Sequence, residues 1–275
     1  MLTDLKTILA MADEKNVAVP AFNVYNVEGA IGVLMAARET HAPVIFQMYT
    51  RLVDNYHADF VAPAILNAIE QLDTPAVFHL DHGAGIGQVI RALRKGVTGV
   101  MIDASTKPLE ENIAITRQAV EICREVKVPV EGELGHVGGA ADAVASPYTE
   151  VDEAVRFVNE TGVDALAVMI GTAHGRYKQA PVLNIQRCRE LSEATKTPLV
   201  LHGGSGVPDD QIRMAVEAGV RKANFATDLC YAFLDTLMNG KYNTVALDRV
   251  LIEPTNAIRD YAIEKIRLLG ADKIL

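Results

Sequence analysis

Three histidines close three separate apolar runs of the chain, and each is followed by glycine: His82 in FHLDHG, His174 in MIGTAHG and His202 in LVLHGGSG. Imidazole nitrogen is a good zinc donor, and a catalytic zinc site needs three protein ligands and an open position. A histidine at such a place can also be a hydrogen-bonded wall residue, but three at equivalent positions suggest a shared task. Asp81 adjoins His82. A carboxylate there can orient a metal ligand, move a proton at a substrate oxygen, or simply cap the following turn. The other histidines (His41, His57, His79 and His136) lack this pattern as a set, and His41 and His57 read as surface residues.

A second signal points to an anion. In HGGSG (His202–Gly206), Gly203, Gly204 and Gly206 allow backbone N–H groups to converge on a charge, and Ser205 adds a hydroxyl. Further on, KANFATD (Lys222–Asp228) sets Ala226 and Thr227 at the opening of a helical stretch. Lys178, in HGRYK, either brings a cation to the same end or is a solvated surface lysine.

These groups lie far apart in the chain, so the fold must gather them. Strand candidates are 17–22, 44–48, 76–80, 99–102, 128–133, 165–170, 199–202 and 223–226. They are short and nearly continuously apolar, as strands buried on both faces are. Helix-period stretches alternate with them at 28–39, 60–71, 87–95, 110–127, 152–161, 185–194 and 209–218, and further helices follow Thr227. Eight such units predict a closed (β/α)8 TIM barrel rather than an open sheet. An open dinucleotide-binding sheet would show GxGxxG after its first strand, whereas this one ends in AFNVYN. Barrel enzymes carry their chemistry at the carboxyl ends of the strands. The polar residues found there are Asn23, Gln47 or Tyr49, Asp81 and His82, Asp103, Glu133, His174, His202, and Asn224 with Asp228.

The chain has 275 residues, which suits one barrel domain over 1–275. Its net charge of −9 argues against a nucleic-acid surface, yet leaves room for a locally positive pocket. Cys123, Cys188 and Cys230 form no CxxC pair and read as buried thiols of a reducing compartment, so the cytoplasm is expected. The first residues carry Asp4, Asp13 and Glu14 and read as an amphipathic helix, not a targeting segment. No apolar run is long enough for a bilayer span. The stretch 136–150 is the one long, small-residue loop, of the kind that serves as a lid or binding loop.

From AFNVYN to the C-terminal helices, the blocks HLDHG, VMIDAS…EEN, VEGELG, HGRYK, LVLHGGSG and NFATD closely resemble the class II, metal-dependent fructose- and tagatose-bisphosphate aldolase family. The resemblance implies zinc on His82, His174 and His202, with Asp81 as acid/base at the sugar hydroxyl that becomes a carbonyl. It implies Asp103 and Glu133 as carboxylates near the metal or as an alternative metal position, and Asn224 at the reacting end of the substrate. Gly175, Gly203, Ser205, Ala226 and Thr227 would hold a phosphate, with a monovalent cation (Na+ or K+) nearby, and Asn23 would lie near the site. Family members are homodimers or larger, so a homodimer or homotetramer is expected. Retro-aldol cleavage through an enediolate needs an electron sink, and zinc on the ketone oxygen and its neighbouring hydroxyl provides one. A Schiff-base lysine would be the alternative, but Lys107, Lys127, Lys178 and Lys222 offer no convincing candidate inside a barrel strand.

Three departures stand out. Family members carry GGxED in a mobile loop, where this chain reads Gly138-Gly139-Ala140-Ala141-Asp142. Alanine thus takes the glutamate position, and Asp142 could substitute only if the loop shifts. Tyr49 stands where a small serine is common, which suggests a different substrate end, and Gly83 follows the first ligand, as in one branch of the family. The expected substrate is therefore a phosphorylated ketose or keto-sugar acid, not necessarily fructose 1,6-bisphosphate. A zinc-dependent epimerase or isomerase, or a catalytically weak sugar-phosphate-binding protein, are the alternatives.

Overall fold

In this computed structural model, residues 1–139 and 148–275 are described. A first helix, α1 (Leu5–Glu14), is followed by β1 (Val19–Asn23), α2 (Val27–Thr40), β2 (Val44–Tyr49), α3 (Thr50–Val53), α4 (Ala58–Glu70) and β3 (Ala76–Gly83). Next come α5 (Ile86–Leu93), β4 (Gly99–Ile102), α6 (Leu109–Glu125), β5 (Val130–Leu134), α7 (Val151–Thr161) and β6 (Ala165–Val168). The chain continues through α8 (Ile185–Thr195), β7 (Leu199–Leu201), α9 (Asp209–Glu217) and β8 (Val220–Phe225), then α10 (Thr227–Asn239), α11 (Leu247–Val250) and α12 (Ile252–Leu269).

All eight strands pair in parallel with their sequence neighbours, and β8 returns to β1 through Val19↔Lys222 to Phe22↔Phe225, closing the barrel. The closed sheet has helices outside and side chains inside, so nearly every strand residue is buried, which explains the mostly apolar runs. Helix starts follow local chemistry: the side chains of Asn26 and Asn184 accept from the amides of Gly29 and Arg187 and cap α2 and α8.

The segment leading into α1 hydrogen-bonds to the amino ends of the strands, Thr3 N to Ala76 O and Leu5 N to Thr98 O, and so lies across the bottom of the barrel. Among the described residues, a cavity lies at the carboxyl ends of the strands. Within the described residues, no helix is long and apolar enough to cross a membrane. Cys123 and Cys188 are buried free thiols as expected, whereas Cys230 is only half-buried and faces a groove beside α10.

Candidate metal centre

The site begins at the end of β3. Consecutive residues of a strand point to opposite faces, which would separate Asp81 from His82. Here Leu80 pairs with Val100 but Gly83 with Ile102, so β3 carries one extra residue in a bulge. His82 takes a left-handed conformation, φ +52°, within it. Such a backbone is costly for a residue with a Cβ and is typical of functional sites. The result is that both Asp81 and His82 line the mouth cavity. Gly83 completes the bulge, since a Cβ there would lie 2.8 Å from the Met101 carbonyl oxygen.

His174 and His202 reach the same place from the ends of β6 and β7. Ligand atoms of His82, His174 and His202 all lie within 4.8 Å of one another, and so do those of His82, Asp103 and Glu133. The ring planes cross at 64–79°, so the three imidazoles meet edge-on instead of stacking. Tyr177 ties the two supporting loops together: its hydroxyl accepts from Ala173 N at 2.7 Å and donates to Gly203 O at 2.9 Å. Gly203, at φ +66°, brings the loops so close that a Cβ would sit 2.4 Å from the Ala173 carbonyl oxygen.

Carboxylates behind the rings decide which nitrogen each ring presents. His82 Nδ1 donates to Asp103 Oδ2 at 2.8 Å, leaving Nε2 as an acceptor. His202 Nε2 donates to Glu131 Oε1 at 2.8 Å, leaving Nδ1. These two nitrogens meet at 3.2 Å, a hydrogen bond that needs a proton on one of them. Nε2 of His174 and Oε2 of Glu133 are buried without a hydrogen-bond partner among the described residues. Orphaned acceptors at the centre of a cluster are what a cation would satisfy.

Electrostatics agree. Asp81, Asp103, Glu131 and Glu133 crowd around the rings, and this acidic surround favours a cation at their centre. Burial alone would lower His82, but the charge of Asp81, the hydrogen bond to Asp103 and the charge of Glu133 lift it to about 9. Burial, then the charges of His202 and His82, bring His174 down to about 3, so it is a neutral imidazole. Burial and the charge of Asp103 raise Glu133. Asp81 moves the other way: burial opposes ionisation, but His82, His202, Lys222 and a hydrogen bond from Asn23 hold it below the usual range.

Asp81 is also aimed by amides. Asn23 Nδ2 donates to its Oδ2 at 2.6 Å, and Asn224 Nδ2 lies 3.4 Å from Oδ1. Gln47 Nε2 in turn donates to Asn23 Oδ1 at 3.0 Å. The cavity is about 330 Å3, and Asn23, Tyr49, Asp103, Gly175, Gly203, Ser205, Asn224, Ala226 and Thr227 also line it. His202 and Glu133 are fully buried beneath it. Two expected residues fall outside the lining. Lys178 is exposed, and the Gly204 amide is already given to Asn224 O. Asp142 and Ala141 lie outside the described residues.

Several participants were not singled out from sequence. Glu131 and Lys222 are fully buried inside the barrel, so a lysine does sit within a barrel strand. Its Nζ is 2.7 Å from Glu131 Oε2 and does not line the cavity, which argues against a free amine nucleophile. Arg51, at the start of the segment after β2, lines the cavity with no carboxylate partner among the described residues, its guanidinium carbon 5.4 Å from the centre of the Tyr49 ring. A larger groove of about 640 Å3 adjoins this cavity and shares Asn23, Tyr25, Arg51, Ala226 and Thr227 with it, but it lacks the imidazoles.

The family model for "Fructose-bisphosphate aldolase class-II" matches residues 3–273. The chain is 40% identical over 237 residues to a 6-phospho-5-dehydro-2-deoxy-D-gluconate aldolase of Halalkalibacterium halodurans, covering 84% of this chain and 82% of that one. It is 39% identical over 238 residues, 84% of each chain, to the D-tagatose-1,6-bisphosphate aldolase subunit GatY of Klebsiella oxytoca. Its fold matches the crystal structure of the YdjI aldolase of Escherichia coli K12 with a TM-score of 0.90 and 35% identity, over 99% of this chain and 98% of that one.

Proposed function

We propose that this chain, which belongs to the class II fructose-bisphosphate aldolase family, is a zinc-dependent aldolase. The family is metal-dependent and acts on phosphorylated sugars. In our reading the reaction is reversible cleavage of a phosphorylated ketose or keto-sugar acid to dihydroxyacetone phosphate and an aldehyde. One observation carries it: three imidazoles converge beside an ionised aspartate at the mouth of the barrel.

His82, His174 and His202 would hold the ion, a nitrogen donor set that suits zinc. When bound, zinc supplies a Lewis acid that polarises the ketone and takes up the charge left by carbon–carbon cleavage. Asp81 acts on the hydroxyl that becomes the aldehyde carbonyl. Its carboxylate is ionised, so it takes that proton during cleavage and returns it during condensation. Asn23 and Asn224 hold it in position, and the buried, unpartnered Oδ1 of Asn224 is left to accept from the substrate.

Gly175, Gly203, Ser205, Ala226 and Thr227 form the phosphate cradle at the amino end of α10, where the helix dipole favours an anion. Ser205 Oγ accepts from Asp228 N at 3.2 Å, which fixes the hydroxyl at this helix start. Arg51, which lines both the cavity and the adjoining groove, suits a substrate that carries a second anionic group. Residues 1–275 act as one barrel unit in this reading. It self-associates, and the exposed apolar side chains of Leu234, Met238, Val245 and Leu247, on α10, on α11 and between them, support a partner there.

The test is condensation of dihydroxyacetone phosphate with a panel of aldehydes in the presence of zinc. A longer sugar phosphate supports the reading. Isomerised donor without a longer product, or full activity after exhaustive chelation, refutes it.

A further inference from the structure

Beneath the imidazoles lies a buried chain of charges that crosses the inside of the barrel. Lys222 on β8 and Glu131 on β5 belong to strands that are not neighbours, so their side chains meet only across the interior. Both are fully buried, as are His202 and His79. Lys222 Nζ sits 2.7 Å from Glu131 Oε2, and Glu131 Oε1 sits 2.8 Å from His202 Nε2. The ring of His79 walls the carboxylate from the other side, 3.6 Å from Oε2.

Burying such a pair in a barrel core is expensive, and an apolar pair would often be as stable or more so. A structural filler is therefore a poor account of it. We propose that Glu131 and Lys222 are positioning residues that set the tautomer of His202. Lys222 anchors one carboxylate oxygen, the other oxygen accepts the Nε2 proton, and His202 can then offer only Nδ1 to the ion. Asp103 does the same for His82 through the opposite nitrogen, which explains how two rings entering from different strands aim at one point. A hydrogen-bonded carboxylate behind a metal-binding imidazole fixes its orientation and raises its basicity. Here that carboxylate has its own anchor, from a third strand. The inference rests on His202 being a metal ligand, as proposed above.

The test is a cycle of variants read by zinc affinity and by the 15N shifts of His202 in metal-free protein. Metal-free wild type should show the Nε2-protonated tautomer. In Glu131→Gln, Lys222 still claims the single remaining acceptor oxygen, so the amide NH2 faces His202 and the proton moves to Nδ1. Zinc binding should then weaken about 10- to 100-fold. Adding Lys222→Met frees the amide oxygen to accept from Nε2, so the double variant should recover the original tautomer and part of the affinity. A purely structural pair predicts a double variant that binds zinc no better than Glu131→Gln, and that result would overturn the proposal. So would an unchanged tautomer or unchanged affinity in Glu131→Gln. Glu131→Leu/Lys222→Met removes both charges and keeps the core apolar; if it folds and binds zinc as wild type does, the relay is wrong. His202→Ala separates the two levels: if it keeps its zinc, the ligand assignment itself fails, whereas loss of zinc there with normal binding in Glu131→Gln sinks only the relay.

Discussion

His82 Nε2 and His202 Nδ1 approach each other to 3.2 Å, although the carboxylate behind each ring leaves both nitrogens as acceptors. Without a cation, that contact needs an added proton, and His82, lifted to about 9, carries one at neutral pH. A zinc ion held as proposed would have to displace it. Zinc affinity should therefore rise with pH from neutrality to about 9 and level off above, with proton release falling over the same range. Calorimetric titration in buffers of different ionisation enthalpy checks this; pH-independent binding would contradict it. The sign for stability is opposite. A raised folded-state value stabilises the metal-free protein below the unfolded histidine value and is lost as pH climbs to about 9, so metal-free Tm should fall across that window.

Asp81→Asn should separate proton transfer from metal binding. The substitution keeps the shape but removes the base, so kcat should drop by about 10²- to 10⁴-fold while zinc content stays the same. Loss of zinc along with activity would mean that Asp81 serves the metal instead.

Tyr177→Phe removes both hydrogen bonds that join the His174 and His202 loops and leaves the Ala173 amide without its partner. Urea unfolding should show a loss of about 1–3 kcal/mol. Zinc binding should weaken as well, because two ligand loops lose their fixed spacing. Wild-type values in both measurements would show that the loops are held by other contacts.

Arg51→Met tests recognition of a second anionic group. For a substrate that carries one, loss of a charged hydrogen bond of about 1.5–3 kcal/mol should raise KM by about 10- to 100-fold and leave kcat nearly unchanged. A substrate without that group should not notice the change. Equal effects on both would assign Arg51 to packing against Tyr49.

The barrel and most of its mouth were legible in the chain because strand ends announce themselves. A buried parallel strand is mostly apolar, so polar residues gathered at and just beyond its end mark the carboxyl end, where Asn23, Asp81, His82, Asp103, His174 and His202 stand. Lys178 and Gly204 were drawn in by residue type, but one side chain turns to solvent and the other's amide is already bonded within the fold. Glu131 and Lys222 had a signal of their own, since an ionised residue inside a strand buried on both faces must have a partner there. Finding that partner needed the barrel, because 91 residues separate the two.

The sequence by itself determined the eight-fold alternation, the family and the residue types that reach the mouth, because those follow from hydrophobic period and from what ends each run. Only the tertiary structure decided how they work together. The bulge that turns both Asp81 and His82 inward, the nitrogen each ring presents, and the lysine that anchors the carboxylate behind His202 all depend on contacts between distant strands. Local sequence cannot encode a hydrogen bond across a barrel until the barrel has closed.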